Sequence, residues 1–347
     1  MDLFTLGTPV MDIFARCTDA KIRKLGLKKG ATNYFSSKEL DGIRRKLSGN
    51  LFHSYPGDNG RNVCEGFAAL GGFCGYQGAI GGDGAGAQFA ANLEKCGIAN
   101  FLSEKKGATG KIIALITPDY ERTFCVDLGV SGLCAKEEKL AFSRSRMFFT
   151  TTIMLCCGKP VSKLTEKYLK AGRKAGKHVS ISIESPPMVA ANRAKILFAV
   201  RKYADSLFMN DDEAFALLGS GAEKKLARLK PKIPIYLKKG KHGSLLFFKG
   251  KQHAISALKA KVIDTTGAGD AYAAGVLYGL SRKYTPQSSA KIGCMLATKV
   301  VQKVGAGIPH AHTRIRILHE KVHGRAFSAF VKREAVYKYN GKRRKLR

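Results

Sequence analysis

The chain lacks any hydrophobic run long enough to cross a bilayer. Its longest apolar stretch, residues 147–157, is too short and too rich in threonine and cysteine to span a membrane. The first residues, Met-Asp-Leu-Phe, lead into an expected strand and have no features of a cleavable signal. These absences argue against a membrane location and leave the cytoplasm as the default expectation.

Paired cysteine motifs are absent as well. The nine cysteines are odd in number and scattered, without a C-x-x-C pair, so neither a disulfide framework nor a zinc knuckle is indicated. We expect them to be reduced core residues. One H-E-x-x-H motif occurs at residues 319–323 and could present two imidazoles to zinc from a helix. Its basic surroundings, with Glu334 as the only later acid, favour a chance match over a zinc-protease site.

Acidic residues are scarce, with 26 against 60 lysines and arginines, which gives a formal net charge of +34. Such a positive field attracts nucleotides and can bind nucleic acid non-specifically through phosphate contacts. The charge is dispersed along most of the chain and becomes dense only after Thr313, where twelve basic residues face two acidic ones. No RNP-like aromatic motif or helix-turn-helix accompanies it. We interpret residues 311–347 as a basic C-terminal extension with a solvated arm, and specific nucleic-acid recognition is not predicted.

The most informative segment is Asp264-Thr-Thr-Gly-Ala-Gly-Asp270, followed by an apolar run. Gly267 and Gly269 leave backbone amides uncovered, and a helix that begins near Asp270 adds its positive dipole end, so the turn favours an anion. A carboxylate there can accept a proton from an alcohol that attacks a phosphorus atom held by the amides. A tight strand-to-helix turn with Asp270 as a helix cap explains the same residues.

The longer pattern D-T-T-G-A-G-D-A-Y-A-A-G closely resembles the second signature of the ribokinase-like (PfkB) carbohydrate and nucleoside kinases. The resemblance implies an ATP-dependent kinase in which Asp270 is the general base and Gly267, Ala268 and Gly269 form an anion hole. The segment Glu121-Arg-Thr-Phe124 and the unbroken similarity from residue 6 to residue 51 favour the adenosine-kinase branch. No G-x-x-x-x-G-K-[ST] motif is present, which disfavours a P-loop kinase.

The resemblance also implies a set of substrate-binding residues. Asp12 follows the expected first strand and is the candidate for holding sugar hydroxyls. Gly57 and Asn62 match the first signature, P-G-G-x-x-x-N. Asp58 replaces the second glycine of this signature, and in the family the glycine pair acts as a hinge. Arg122 is a candidate contact to substrate or phosphate. A turn-forming aspartate and an exposed hairpin arginine are the alternative interpretations of Asp12 and Arg122.

On the nucleotide side, the resemblance implies binding by Asn210, Lys238, Gly240, Gly243 and Thr265. Asn210 and Glu213 fit N-x-x-E, which in the family orders Mg²⁺ and its water around the transferred phosphate; a helix cap with its capping-box partner explains the same tetrapeptide. Asp264 and Thr266 are the place to look for a monovalent cation such as K⁺.

Alternation of strand-like and helical runs predicts an α/β fold with a doubly wound, mostly parallel central sheet, helices on both faces and a small β lid. Predicted strands are residues 3–7, 112–117, 147–151, 179–183, 206–209, 233–237 and 244–248. Predicted helices are residues 60–70, 87–96, 161–175, 211–218, 271–280 and 290–304. The resemblance places a kinase domain at residues 1–310, with the lid at about 13–55 and 107–130.

The sequence therefore predicts a kinase for a primary hydroxyl of a nucleoside or a free sugar, using ATP with Mg²⁺. A monomer and a homodimer both remain open. The rival hypothesis is a kinase-like protein that mainly binds nucleic acid or a partner through its basic surface, which Asp58 favours and an intact Asp270 opposes.

Overall fold

The computed structural model describes residues 1–119, 121–229, 231–303 and 305–308. The basic extension at 311–347 and the motif at 319–323 therefore lie outside the described residues. Within them, no helix has the length and apolarity needed to cross a bilayer.

The described residues form fourteen strands and thirteen α-helices. The strands are β1 Leu3–Leu6, β2 Val10–Arg16, β3 Thr32–Tyr34, β4 Leu51–Gly57, β5 Cys74–Gly81, β6 Ala99–Lys105, β7 Thr109–Ile116, β8 Arg122–Gly129, β9 Met147–Thr151, β10 His178–Ser182, β11 Ser206–Asn210, β12 Ile235–Lys238, β13 Ser244–Phe248 and β14 Lys251–Ile255. The helices are α1 Asp19–Lys24, α2 Ser37–Lys46, α3 Asn59–Ala69, α4 Gly84–Lys95, α5 Lys139–Ser143, α6 Thr152–Cys156, α7 Lys159–Lys174, α8 Pro186–Ala191, α9 Arg193–Tyr203, α10 Asp211–Leu218, α11 Ala222–Leu229, α12 Ala268–Ser281 and α13 Pro286–Val300.

Nine strands build one large sheet in the order β14-β13-β12-β11-β10-β9-β1-β5-β6. Every neighbouring pair is parallel except β12/β13 and β13/β14, which are antiparallel. The predicted α/β class with a mostly parallel sheet flanked by helices is confirmed. The parallel strands direct their carboxyl ends to one edge, where ligands bind in such folds.

Alternation along the central strands divides the core between the two faces of this sheet. Leu3, Phe149 and Phe208 face one side and pack with residues of α3, α4, α12 and α13. Phe4 and Phe148 face the other side and pack with residues of α7, α9 and α10. Because both faces are covered, the strands are almost continuously apolar, as buried parallel strands require.

Five strands form a second sheet in the order β3-β8-β7-β2-β4. Its three central strands, β2, β7 and β8, carry apolar residues at both odd and even positions, so both of its faces bury side chains. The odd-numbered Ile13, Ile113 and Cys125 belong to a small core with residues of α1 and α2. The even-numbered residues of β2, β7 and β8 line a cavity beneath the sheet. We call this sheet, with α1 and α2, the lid.

Each predicted strand and helix overlaps an observed one, and the boundaries differ for local reasons. α12 begins three residues before the predicted start because Gly267, at φ 74°, caps it. α13 begins at Pro286, where Thr285 accepts a hydrogen bond from the Ser288 amide and proline suits the first helical turn. β12 begins after Pro234, which has no N–H to donate to the sheet.

The contact between α12 and α13 gives a test of the fold. A Cβ on Gly275 would lie 2.7 Å from the Cα of Gly293, so no side-chain movement can make room for it. We expect Gly275→Ala to lower the free energy of unfolding by about 1–3 kcal/mol, the usual cost of overpacking. In α2, a Cβ on Gly42 would meet nothing within 4 Å. Gly42→Ala should therefore raise the free energy of unfolding by about 0.5–1 kcal/mol, because alanine loses less conformational entropy than glycine when the helix forms. Urea unfolding measures both, and equal stability of Gly275→Ala and the parent would contradict this packing.

Candidate active site

The loop that connects Asp264 to α12 has a conformation that requires glycine at 267. Gly267 lies at φ 74°, and a Cβ there would come 2.5 Å from the Cβ of Ala306. The next residues begin a fourteen-residue helix, whose first amides have no partner within the helix. The loop therefore directs N–H groups and the positive end of a helix dipole towards whatever lies in front of it.

Asp270 lies in the first turn of α12 and is 8% exposed. Two amide groups from α3 hold its carboxylate: Asn59 Nδ2 donates to Oδ1 at 3.1 Å, and Asn62 Nδ2 donates to Oδ2 at 2.9 Å. Burial raises the pKa of Asp270 to about 7, with a further increase from Glu184, against the opposing effect of Asn62, Asn59 and Lys238. A carboxyl group that titrates near neutral pH is suited to proton transfer.

A cavity of about 400 Å³ lies between the lid and Asp270. Among the lining residues, Asp12, Asn62, Arg122 and Asp270 are sequence-predicted site residues that the structure brings together. Asp12 is on β2 and faces the cavity; burial raises its pKa to about 7, Asp58 adds to the increase and Arg61 opposes it.

Apolar side chains form the lid's share of this cavity. They come from the even-numbered face of the lid strands and are Val10, Phe14, Tyr34, Ile112, Ala114, Phe124, Val126 and Leu128. The wall opposite Asp270 is therefore largely hydrophobic, with Asp12 and Arg122 as its charged residues.

Gly57 is required by space rather than by backbone conformation. A Cβ at this position would lie 2.4 Å from Oδ2 of Asp12, so a side chain would collide with the carboxylate that faces the cavity. Gly57 therefore shapes the site without contributing a functional group.

Asp58 adopts φ 121°, a backbone region that favours glycine. Its carboxylate compensates by accepting four hydrogen bonds, from Thr8 N and Oγ1 at 3.1 Å, Arg61 N at 3.0 Å and the Tyr76 hydroxyl at 2.9 Å. Burial raises the pKa of Asp58 to about 6 despite these donors. A Cβ on Gly7 would lie 2.1 Å from Asp58 Oδ2, so the space above Gly7 accommodates this side chain. The aspartate thus fits where the family signature has glycine.

A second cavity, of about 540 Å³, lies on the other side of the 264–270 loop. It is lined by Lys238, Gly240, Gly243 and Thr265, all predicted nucleotide-side residues, and also by Ala268 and Gly269. Gly243 lies at φ 88°, and a Cβ there would meet the Ile255 carbonyl at 2.0 Å, so this turn too requires glycine. One loop therefore separates the two cavities and lines both.

Asn210 and Glu213 form the capping box of α10. Glu213 N donates to Asn210 Oδ1 at 2.8 Å, and Asn210 N donates to Glu213 Oε2 at 2.7 Å. Burial raises the pKa of Glu213 to about 7; Lys238, whose Nζ is 3.7 Å from Oε2, lowers it, and Glu184 raises it further. The structure places these two residues in the cap, and no direct contact of theirs to either cavity is observed.

Several acidic side chains lie around Lys238. Within the described ranges, no group of three or more His, Cys, Asp or Glu residues could hold a metal ion directly. Glu184, Glu213 and Asp270 nevertheless interact electrostatically with one another or with Lys238. Mg²⁺ retains several of its waters when it binds, so a site that Asn210 and Glu213 reach through water does not require such a cluster.

Asp264 and Thr266 are engaged by a cation that belongs to the chain. Arg122 of β8 donates through Nη2 to Asp264 Oδ1 and through Nη1 to Thr266 Oγ1 at 2.5 Å. Burial alone would raise the pKa of Asp264, but hydrogen bonds from Gly305 and Thr266, together with Arg122, lower it. Both side chains therefore already have a positively charged partner within the chain.

Three further residues of the site were not singled out in the sequence analysis. Asn59 donates to Asp270 and also to Glu184 Oε2 at 3.1 Å, and Glu184 follows the carboxyl end of β10. Arg61 is fully buried beside Asn62. Position at the end of a parallel strand was an available signal for Glu184. Neither asparagine nor arginine in the first turns of a helix carries such a signal.

Comparison with known proteins identifies the group of α/β proteins to which this fold and its paired cavities belong. A model for "pfkB family carbohydrate kinase" matches residues 30–314. The chain therefore belongs to the PfkB family of carbohydrate kinases, whose members are kinases that use ATP and usually Mg²⁺.

Individual relatives include kinases for different small molecules. A fructokinase from Salmonella typhimurium is 26% identical over 243 residues, covering 67% of this chain and 78% of the relative. A nucleoside kinase from Methanocaldococcus jannaschii is 32% identical over 162 residues, covering 46% of this chain and 51% of the relative. An adenosine kinase structure from Sinorhizobium meliloti has a TM-score of 0.83 at 23% identity, covering 91% of this chain and 99% of that chain. The structural likeness supports the fold, the family match shows the kinase family, and together they leave the substrate open.

The raised pKa of Asp270 predicts the pH dependence of turnover. With Asp270 as the proposed general base, which must be deprotonated, kcat/KM should be low below pH 7 and increase as the pH passes through about 7. Asp12 titrates in the same range, so Asp12→Asn is the control: the variant should keep an acid limb near pH 7 even if its KM rises. If the acid limb of kcat/KM in the parent protein lies at pH 4–5 instead of near pH 7, this result would contradict the raised pKa that burial gives Asp270.

Proposed function

We propose that this protein is an ATP-dependent kinase that phosphorylates a primary hydroxyl of a nucleoside. The observation that carries the proposal is the 264–270 loop, which lines one cavity with Asp270 and Gly267 and the other with Thr265 and Gly269. A substrate hydroxyl in the first cavity and a terminal phosphate from the second would therefore meet at this loop.

Asp270 acts as the general base in this proposal. The substrate hydroxyl oxygen forms a bond to the γ-phosphorus of ATP, its proton passes to the Asp270 carboxylate, and the bond to the β–γ bridging oxygen breaks as ADP leaves with the electron pair. The amides of Gly267, Ala268 and Gly269 stabilise the charge on the transferred group. Most of the rate enhancement would come from positioning and electrostatics, as is usual for phosphoryl transfer.

Other residues bind and orient the reactants. Asp12 accepts hydrogen bonds from sugar hydroxyls, and Asn62 holds Asp270 towards the cavity. Lys238, Gly240, Gly243 and Thr265 bind the nucleotide from the second cavity. When bound, Mg²⁺ would neutralise phosphate charge, with Glu213 and Asn210 ordering its water shell.

The apolar lid wall favours a nucleoside over a free sugar. A free sugar carries hydroxyl groups on most of its carbons, and each loses hydrogen bonds to water when it lies against hydrocarbon. A nucleoside base offers a flat face that packs well on Phe14, Phe124 and the aliphatic side chains beside them. Asp12 at the edge of this wall suits the ribose, so one cavity contains both kinds of contact.

The substrate class can be tested by the release of ADP from MgATP with purine and pyrimidine nucleosides, ribose and fructose. We expect at least one nucleoside to have a kcat/KM about tenfold or more above either sugar, since burial of a base face adds over 1 kcal/mol. Phe124→Ala should raise the KM for the nucleoside and leave the KM for ATP unchanged. Asp270→Asn is the inactive control for this assay. Its turnover should fall by orders of magnitude while its ATP binding persists.

Faster turnover of fructose or ribose would replace this proposal with the free-sugar alternative. No ADP release across the panel, combined with salt-sensitive binding of RNA or DNA, would favour the nucleic-acid hypothesis. Normal turnover by Asp270→Asn would refute the assignment of the base.

We also propose that the Arg122 guanidinium removes the need for a monovalent cation at Asp264. Turnover should then be the same within about twofold in K⁺, Na⁺ or tetramethylammonium, and K⁺ should not shift the melting temperature. In Arg122→Met, the Asp264 carboxylate loses its charged partner, so K⁺ should stabilise the variant and restore part of its activity. A parent protein that loses most of its turnover without K⁺ would contradict the proposal.

A further inference from the structure

Arg61 is a fully buried arginine with no part in the proposed chemistry. It lies in the first turn of α3, next to Asn62, and its side chain is 0% exposed. Removing a guanidinium from water costs several kcal/mol unless its donors are paired. An arginine kept in this position therefore needs a specific set of partners.

Partners from three parts of the fold surround this guanidinium. Nε and Nη2 donate to Asn92 Oδ1 of α4 at 3.1 and 2.5 Å, and Nη2 also donates to the Tyr55 hydroxyl of the lid strand β4 at 2.9 Å. Nη1 donates to Glu65 Oε2 at 2.9 Å, and Tyr55 donates to the other oxygen of Glu65 at 2.8 Å. The guanidinium also lies over the Tyr55 ring, 4.7 Å from its centre. Together these contacts fix the position of the group.

One remaining contact connects Arg61 to the site. Nη1 also donates to Asn62 Oδ1 at 3.0 Å. Arginine has donors only, so it selects the oxygen of the asparagine amide and turns the –NH₂ group the other way. That –NH₂ group donates to Asp270 Oδ2 at 2.9 Å. With the amide reversed, –NH₂ would face the guanidinium and the amide oxygen would face the carboxylate, two repulsive contacts at once.

We propose that Arg61 is a positioning residue, which sets the orientation of the Asn62 amide and through it holds the Asp270 carboxylate towards the substrate. The inference rests on the proposed function of Asp270. A purely structural ion pair with Glu65 would explain the burial of Arg61, but it would give Arg61 no influence on Asp270.

The test is a double-mutant cycle. Arg61→Met with Glu65→Gln removes the guanidinium without leaving a buried charge unpaired. We expect kcat to fall about ten- to a hundredfold, the range caused by small misplacement of a reacting group, with the KM for ATP within twofold. The acid limb of kcat/KM should shift to higher pH, because the Asn62 hydrogen bond lowers the pKa of Asp270 and Arg61 also lowers the pKa of Asp12. A direct titration of the Asp270 carboxyl separates the two contributions.

In an Asn62→Ala background, the same pair of substitutions should cause little further loss of kcat, since Arg61 acts through Asn62. Fully additive losses, or an unchanged kcat and pH limb in the folded variant, would overturn the proposal. Arg173→Met is the matched control, because it removes an exposed arginine that pairs with Asp205 at 3.0 Å, far along the chain from the site. It should leave kcat and the pH limb unchanged.

Two further measurements keep the proposal testable. If the variant pair does not fold, Arg61→Lys can replace it, because lysine retains a buried cation for Glu65 but lacks the forked donors. This variant should show the same fall in kcat and the same shift of the acid limb of kcat/KM. A kcat and an acid limb equal to those of the parent would count against the proposal. A ¹³C titration of the Asp270 carboxyl follows the pKa without any substrate. A parent protein that consumes no ATP would refute the proposed kinase function, whereas the titration would still decide whether Arg61 acts on Asp270.

Discussion

The burial of one carboxylate between two helices is the constraint on which the rest of the site depends. Asp270 is kept away from bulk water by the packing of α12 against α3 and is hydrogen-bonded by Asn59 and Asn62. Burial makes its ionised form costly, and this cost makes it a better base near neutral pH. Close approach of the helices depends in turn on Gly66, where a Cβ would lie 2.6 Å from the Cβ of Ala274. Packing and chemistry are therefore coupled at this contact.

Positively and negatively charged side chains lie next to one another around the 264–270 loop. Lys238 lies among Glu184, Glu213 and Asp270, while Arg122 contacts Asp264 and Thr266 from the lid. Each cation reduces the repulsion that several buried carboxylates would otherwise cause in a small volume. Most basic residues in the described part of the chain are instead exposed.

Features of the site that depend on a local pattern of residues could be predicted from the sequence. The turn before α12 could be predicted because its glycines and Asp270 act within seven consecutive residues. By contrast, Asn59 and Glu184 are 125 residues apart and meet only after the sheet is assembled, so no local signal reveals their contact. Arg61 in a helix is normally expected to face solvent, and its burial depends on Tyr55, Glu65 and Asn92 together. Helix α2 had a readable Ser36/Glu39 capping box, yet it was not predicted.

The alternation of the lid strands has a consequence for how this protein could change over evolutionary time. Positions such as Ile13, Ile113 and Cys125 hold the lid to its own helices, whereas Phe14, Ile112 and Phe124 point to the opposite side. Because the two sets never share a position, ligand preference could diversify by replacement of one set while the other preserves the architecture. Insertion of a single residue into one of these strands would exchange the sets and eliminate both properties together.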